Sequence, residues 1–238
     1  MQINNETIGI SAEIVIADIF NISVNDSYRH RGNKVIETSL VSIIKQVFTN
    51  EPTLVPIAHI AEDQSPVDFM LSNGKTLSLK TNQQFSKKVA PQNVGQPTSS
   101  TYYDHFSNIY TNYVIPRDYE GRCKLFKEVS IDRINEVMAI YWKNLFHCDY
   151  LLHIYNIINA NGQVTNNAYY TLYPMLTSHN FIKANFSFTQ TATSWNESNT
   201  VKYCGITIGE FQVHNNRDCF KFRFNMEGIN KLLIEKLI

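Results

Sequence analysis

Residues 66–80, PVDFMLSNGKTLSLK, carry the strongest local constraint in this chain, an Asn-Gly pair between two runs of alternating character. That dipeptide accepts the positive φ angles of a tight turn, so 67–71 and 76–80 are predicted to pair as an antiparallel hairpin. A side-chain period of two puts Ser78 and Lys80 on one face of the second run, with Leu77 and Leu79 on the other. The face that Asp68 shares depends on the loop. A two-residue Asn73-Gly74 loop pairs Asp68 with Leu79, facing the core. A three-residue loop, Ser72-Asn73-Gly74 with Gly74 left-handed, pairs Leu71 with Lys75 and sets Asp68 opposite Ser78. The longer loop is favoured, because Gly suits its last position and because it keeps an aspartate and a lysine out of the hydrophobic side.

An aspartate, a lysine and a backbone carbonyl at one hairpin end form a coherent chemical set. Asp68 and the main-chain oxygen of Leu79 offer oxygen ligands to a divalent cation, and the Lys80 ammonium can orient a water or hold a phosphate oxygen. Here the sequence resembles the PD-(D/E)xK nuclease superfamily, and within it the type II restriction endonucleases. Pro66-Val67-Asp68 matches the PD element and Ser78-Leu79-Lys80 matches (D/E)xK. Val67 is an inserted residue, a minor departure. Ser78 stands where the second acid belongs, and a hydroxyl is a weak ligand beside a carboxylate.

The resemblance implies an α/β (α+β) fold with a restriction-endonuclease-like core: a mixed central β-sheet flanked by helices, and a β-rich C-terminal recognition part. It also implies Mg2+-dependent hydrolysis of double-stranded DNA at a short specific sequence by a homodimer. In that scheme Asp68 ligates the metal, Lys80 positions the attacking water and Ser78 occupies the second acid's place. Residues 5–20 carry a helical apolar stripe (Ile8, Ala12, Val15, Ile16, Ile19) with Glu13 beside it, which makes Glu13 the first candidate for the missing metal-binding acid. The plainer alternative is a solvated helix charge.

Candidate DNA contacts fall in three places. The polar loop 21–33 holds Arg29 and Arg31, suited to phosphates. The irregular segment after Lys80 offers Thr81, Asn82, Gln84 and Gln92 as polar contacts, with Lys87 and Lys88 for phosphates. In 208–225, Phe220, Phe222 and Phe224 alternate with Lys221 and Arg223, which predicts one aromatic and one basic face. The turn before them holds Gln212, His214, Asn215, Asn216 and Arg217, side chains that match base edges. A hairpin with one packed and one wet face would read the same way.

Further helices are predicted at 34–49, 99–113, 131–147 (Ser130 as N-cap) and 227–237. Strands are predicted at 53–60 (Pro56 marking an edge or a bulge), 151–158, 164–173, 181–188 and 200–208. The formal charge is zero, which excludes a whole-protein basic field but not a basic groove. Four cysteines without zinc spacing read as buried free thiols in a reducing compartment. No apolar run reaches the length of a membrane span, so a soluble cytosolic protein is expected, and the resemblance implies that the cytosol is prokaryotic. The expected organisation is a single domain, 1–238, with 1–115 mainly catalytic and 116–238 mainly recognition and dimerisation. Two other readings compete: a non-catalytic DNA-binding module on a degenerate nuclease scaffold, and a structure-specific nuclease.

Overall fold

The computed structural model describes residues 4–61, 65–84, 87–174, 176 and 179–238. In chain order the elements are α1 (Asn5–Phe20), α2 (Asp26–Arg29), α3 (Lys34–Asn50), β1 (Pro56–His59), β2 (Phe69–Leu71), β3 (Thr76–Thr81), β4 (Lys88–Val89), α4 (Tyr102–His105) and α5 (Ser107–Tyr110). They continue with α6 (Tyr119–Asp132), α7 (Ile134–Leu145), β5 (Tyr150–Tyr155), β6 (Tyr169–Pro174), β7 (Phe186–Phe188), β8 (Ser198–Tyr203), β9 (Ile206–His214), β10 (Cys219–Asn225) and α8 (Met226–Ile234). This is a mixed α/β architecture. The chain divides into two compact units, residues 1–87 with 146–176 and residues 88–145 with 177–238. Strands β5 and β6, placed by sequence in the C-terminal part, therefore belong with the first unit.

The first unit holds a mixed sheet in the order β1-β2-β3-β5-β6. Strands β3 and β5 pair in parallel, with Lys80 beside His153. Pro56 lies on the edge strand at a register shift, where its missing N–H breaks no ladder bond. Helix α1 starts at Asn4, whose side chain accepts from Thr7 N–H, and α3 starts at Asn33, which accepts from Val35 and Ile36 N–H. Apolar residues of α1 (Ile8, Ala12, Ile16), α3 (Ile36, Leu40, Val47) and the sheet (Phe69, Leu77, Leu152) share one core. At about 2 kcal/mol per large buried side chain, that burial is what offsets the entropy of ordering the unit.

The β2–β3 hairpin takes the three-residue loop. Leu71 N–H donates to Lys75 O (2.8 Å), Gly74 N–H donates to Leu71 O (3.0 Å), and Gly74 has φ +76°. A non-glycine residue is strained at that angle.

The second unit holds an antiparallel sheet in the order β4-β10-β9-β8-β7. Period two on β10 drives Phe220, Phe222 and Phe224 fully inward. Phe126 of α6 stacks on Phe220 (centroids 4.3 Å apart) and Tyr141 of α7 stacks on Phe222 (4.6 Å). Helix α8 packs so closely on β9 that a Cβ at Gly228 would lie 1.9 Å from Thr207 O.

Several sequence expectations need correction. Ser130 is not an N-cap; it is buried inside α6, which is capped instead by Asp118 accepting from Gly121 N–H (2.7 Å). The helix expected over 99–113 is two single-turn pieces, α4 and α5. The strand expected over 200–208 is two strands joined by a turn at Cys204-Gly205, both with positive φ. Cys204 is exposed, whereas Cys123, Cys148 and Cys219 are buried free thiols as expected.

Candidate active site

Asp68 precedes β2 and is tied to both neighbouring strands. Its N–H donates to Leu77 O (3.1 Å) and its carbonyl accepts from Ile60 N–H (2.9 Å). Phe69 pairs with Leu77, which sets Asp68 opposite Ser78. Asp68 Oδ2 accepts from Leu79 N–H (2.5 Å) and from the Ser78 hydroxyl (3.1 Å). Ser78 is buried, so it acts here as a donor fixing Asp68.

Burial, then the negative charge of Glu13, push the Asp68 carboxyl up to about 7, and Lys80 with the two hydrogen bonds only partly opposes them. The same charges are felt by buried Cys148, whose thiol burial raises to about 11 while Lys80 lowers it and Asp68 raises it. Two carboxylates that repel each other beside one ammonium are therefore gathered just before β2, near the end of β3 and in the middle of α1.

Glu13 departs from the solvated alternative. It lies in the fully buried stretch of α1 and is 7% exposed. Its Oε2 accepts from the Tyr28 hydroxyl (2.6 Å) and from His59 Nε2 (2.9 Å). Burial and Glu13 hold the Tyr28 phenol far above its usual range, so it remains a donor. Neither Tyr28 nor His59 stands out in the sequence. Tyr28 sits on a four-residue helix and His59 on an edge strand whose bulge breaks the period, leaving no pattern that points either one at Glu13.

The candidate DNA contacts scatter. Arg29 pairs with Asp18 (2.7 Å) and Arg31 with Glu6 (2.5 Å), both near the surface. Thr81 donates to Asn5 O (3.4 Å), and Gln84 is exposed. Asn82 does not face outward as expected: it is buried, with Oδ1 2.7 Å from His153 Nε2. Burial lowers His153 to about 4, so it stays neutral at neutral pH. Lys87 lies over the Tyr155 ring, in the first unit. Lys88 begins β4 in the second, and Gln92 follows it, half-buried.

On the wet face of the second sheet, Glu210 gathers three donors. Arg223 Nη2 (2.6 Å) and Gln212 Nε2 (2.7 Å) reach Oε1, and Lys88 Nζ (2.9 Å) reaches Oε2. Those cations hold Glu210 below its usual range against its burial. His214 Nε2 lies 3.2 Å from Gln212 Oε1, and Lys221 follows the same alternation. Asn215, Asn216 and Arg217 form an exposed turn beyond them. The expected basic face is therefore mixed in charge. Its organiser, Glu210, was legible in sequence only as one more alternating position.

Among the described residues no group of three or more His, Cys, Asp or Glu side chains is placed to hold a metal, so a cation here would rest on two carboxylates and main-chain oxygen. That donor set, with a lysine alongside, suits a divalent cation and a phosphate. It is the set that the nuclease resemblance anticipates. The chain is also similar to the type II restriction enzyme CviAII of Paramecium bursaria Chlorella virus 1, with 32% identity over 173 residues. The match covers 73% of this chain and 46% of that enzyme, so the chain spans a little under half of the relative's length. No family model matches the chain. No solved structure matches it. No helix among the described residues is long and apolar enough to cross a membrane.

Proposed function

We propose that the protein is a type II restriction endonuclease of the PD-(D/E)xK kind, hydrolysing double-stranded DNA at a short specific sequence with Mg2+. The observation that carries this is the convergence of Asp68, Glu13 and Lys80, in a chain similar to a restriction enzyme. Asp68, Glu13 and the Leu79 main-chain oxygen would hold the cation. Asp68 Oδ2 and Glu13 Oε2 are occupied by protein donors, and no hydrogen bond reaches Oδ1 or Oε1 among the described residues. Their repulsion, only partly offset by Lys80, is the electrostatic signature that a divalent ion relieves. When bound, the ion supplies Lewis-acid stabilisation of charge on the phosphate and lowers the pKa of a bound water.

Within the chain, the Lys80 ammonium orients the attacking water against the phosphorus and offsets the charge gathering on a non-bridging oxygen. Water attacks and gives up a proton to solvent as its oxygen bonds to phosphorus, the bond from phosphorus to the leaving oxygen breaks, and that oxygen takes up a proton from solvent. Ser78 and Leu79 N–H hold Asp68 in place throughout. Arg29, Arg31, Lys87, Lys221 and Arg223 are proposed phosphate contacts; Gln212, His214, Asn215, Asn216 and Arg217 are proposed base contacts. A homodimer would treat the two strands of a near-palindromic site alike.

The test is digestion of supercoiled plasmid with and without Mg2+. Discrete Mg2+-dependent fragments, abolished in Lys80→Ala with DNA binding retained, support the enzyme. Binding of DNA with no cleavage under any divalent ion refutes it in favour of a non-catalytic module. Cleavage confined to branched substrates refutes sequence specificity.

A further inference from the structure

Glu13 needs more than a helix to serve as a ligand. A carboxylate on a flexible three-bond arm, buried in the middle of α1, can rotate away from Asp68 unless something fixes it. Two side chains from separate elements supply that restraint. Tyr28 comes from α2 and His59 from β1, and both hydrogen bonds end on the same oxygen, Oε2. No hydrogen bond reaches Oε1 among the described residues. The asymmetry matters, because a pair that merely solvated a buried carboxylate would serve its purpose equally well with one donor on each oxygen.

The brace is itself held. The His59 ring is 1% exposed, lies edge-on to Tyr28 (centroids 4.9 Å) and edge-on to Phe69 (5.2 Å), the residue after Asp68. His59 also pairs with Phe69 across the sheet, and the next residue, Ile60, donates to Asp68 O. The start of β2, just after Asp68, thus fixes the ring that fixes Glu13. Arg31 lies over the other ring of this set, 5.2 Å from the Tyr28 centroid. Facing a carboxylate, His59 donates from Nε2, which leaves Nδ1 buried and without a partner among the described residues. A core histidine chosen for stability alone gains little from one unmatched nitrogen.

We propose that Tyr28 and His59 are positioning residues: by occupying Glu13 Oε2 they turn Oε1 toward the divalent cation that Glu13 shares with Asp68. This rests on the proposed role of Glu13 as a ligand. The test is isothermal titration of Ca2+ into the full chain without DNA, so no turnover enters the readout. Tyr28→Phe removes one hydroxyl and keeps the ring, and it weakens Ca2+ binding by about 10- to 100-fold, the usual scale for losing an outer-shell partner. His59→Leu does the same, and His59→Gln, which keeps an N–H donor, recovers most of the affinity.

Glu13→Gln, in the same titration, separates the two levels of the argument. If Glu13→Gln weakens Ca2+ binding while Tyr28→Phe and His59→Leu bind as the unmodified chain does, the positioning proposal is overturned and the ligand stands. If Glu13→Gln itself binds Ca2+ unchanged, the ligand reading fails and the proposal falls with it. Circular dichroism melts monitor folding. Should His59→Leu not fold, Tyr28→Phe decides the matter alone.

Discussion

The raised carboxyl of Asp68 makes cation binding steeply dependent on pH. Its unperturbed value is 3.8 and its folded value about 7, so below neutrality a proton occupies the oxygens a cation needs. At pH 6 about one Asp68 in ten is ionised, and at pH 5 about one in a hundred, so Ca2+ affinity is about 10-fold and 100-fold below its plateau. An ordinary carboxyl would lose less than about a tenth of its affinity at pH 5. The same shift acts on stability. Between pH 3.8 and 7 the folded state holds a proton that the unfolded state releases. The resulting stabilisation, up to about 4 kcal/mol, is complete below pH 3.8 and is lost as pH rises toward 7. Adding Ca2+ restores it only where Asp68 can ionise, so the Ca2+-induced rise in Tm is large at pH 7.5 and small at pH 5. Glu13 is the second cause of the shift, so Glu13→Gln moves the profile to lower pH. Calorimetric titration and thermal melts from pH 5 to 8 measure both effects. A Ca2+ affinity flat across that range, or a profile indifferent to Glu13→Gln, refutes the paired-carboxylate reasoning.

Three further outcomes follow from the geometry. Glu210→Gln removes the negative charge that Lys88 and Arg223 share and raises non-specific DNA affinity, steepening its salt dependence by about one counterion; anisotropy titrations across salt concentrations check this, and weaker binding at low salt contradicts it. Phe222→Ala empties a buried ring site stacked on Tyr141 and costs about 3–5 kcal/mol in denaturant unfolding, with little change in m-value. His153→Leu removes the hydrogen bond to the Oδ1 of buried Asn82 and costs about 1–3 kcal/mol, read from the same unfolding curves.

The parts of the site legible in sequence are those governed by local rules. Asn73-Gly74 marked the hairpin, and Gly74 at the end of a three-residue loop, with Asp68 and Lys80 kept off the apolar face, favoured the register that sets Asp68 opposite Ser78. The apolar stripe of 5–20 located α1 and with it Glu13. Neither rule reaches contacts between distant elements. The parallel pairing of β3 with β5 joins segments about 70 residues apart and leaves no local trace. Helix α6 was missed because few of its positions are apolar (Cys123, Phe126 and Val129 among its buried residues), although Asp118 three residues before Gly121 marked its start. Glu210 illustrates a different limit: alternation placed it on the wet face, but only coordinates show it neutralising the cations beside it.

The most direct test of the shared cation is anomalous scattering from crystals of the full chain loaded with Mn2+. The account predicts a peak about 2.2 Å from Asp68 Oδ1 and Glu13 Oε1 together, with the Lys80 ammonium nearby. A peak bound to Asp68 with Glu13 outside its coordination shell, or manganese only at other sites on the protein, contradicts it.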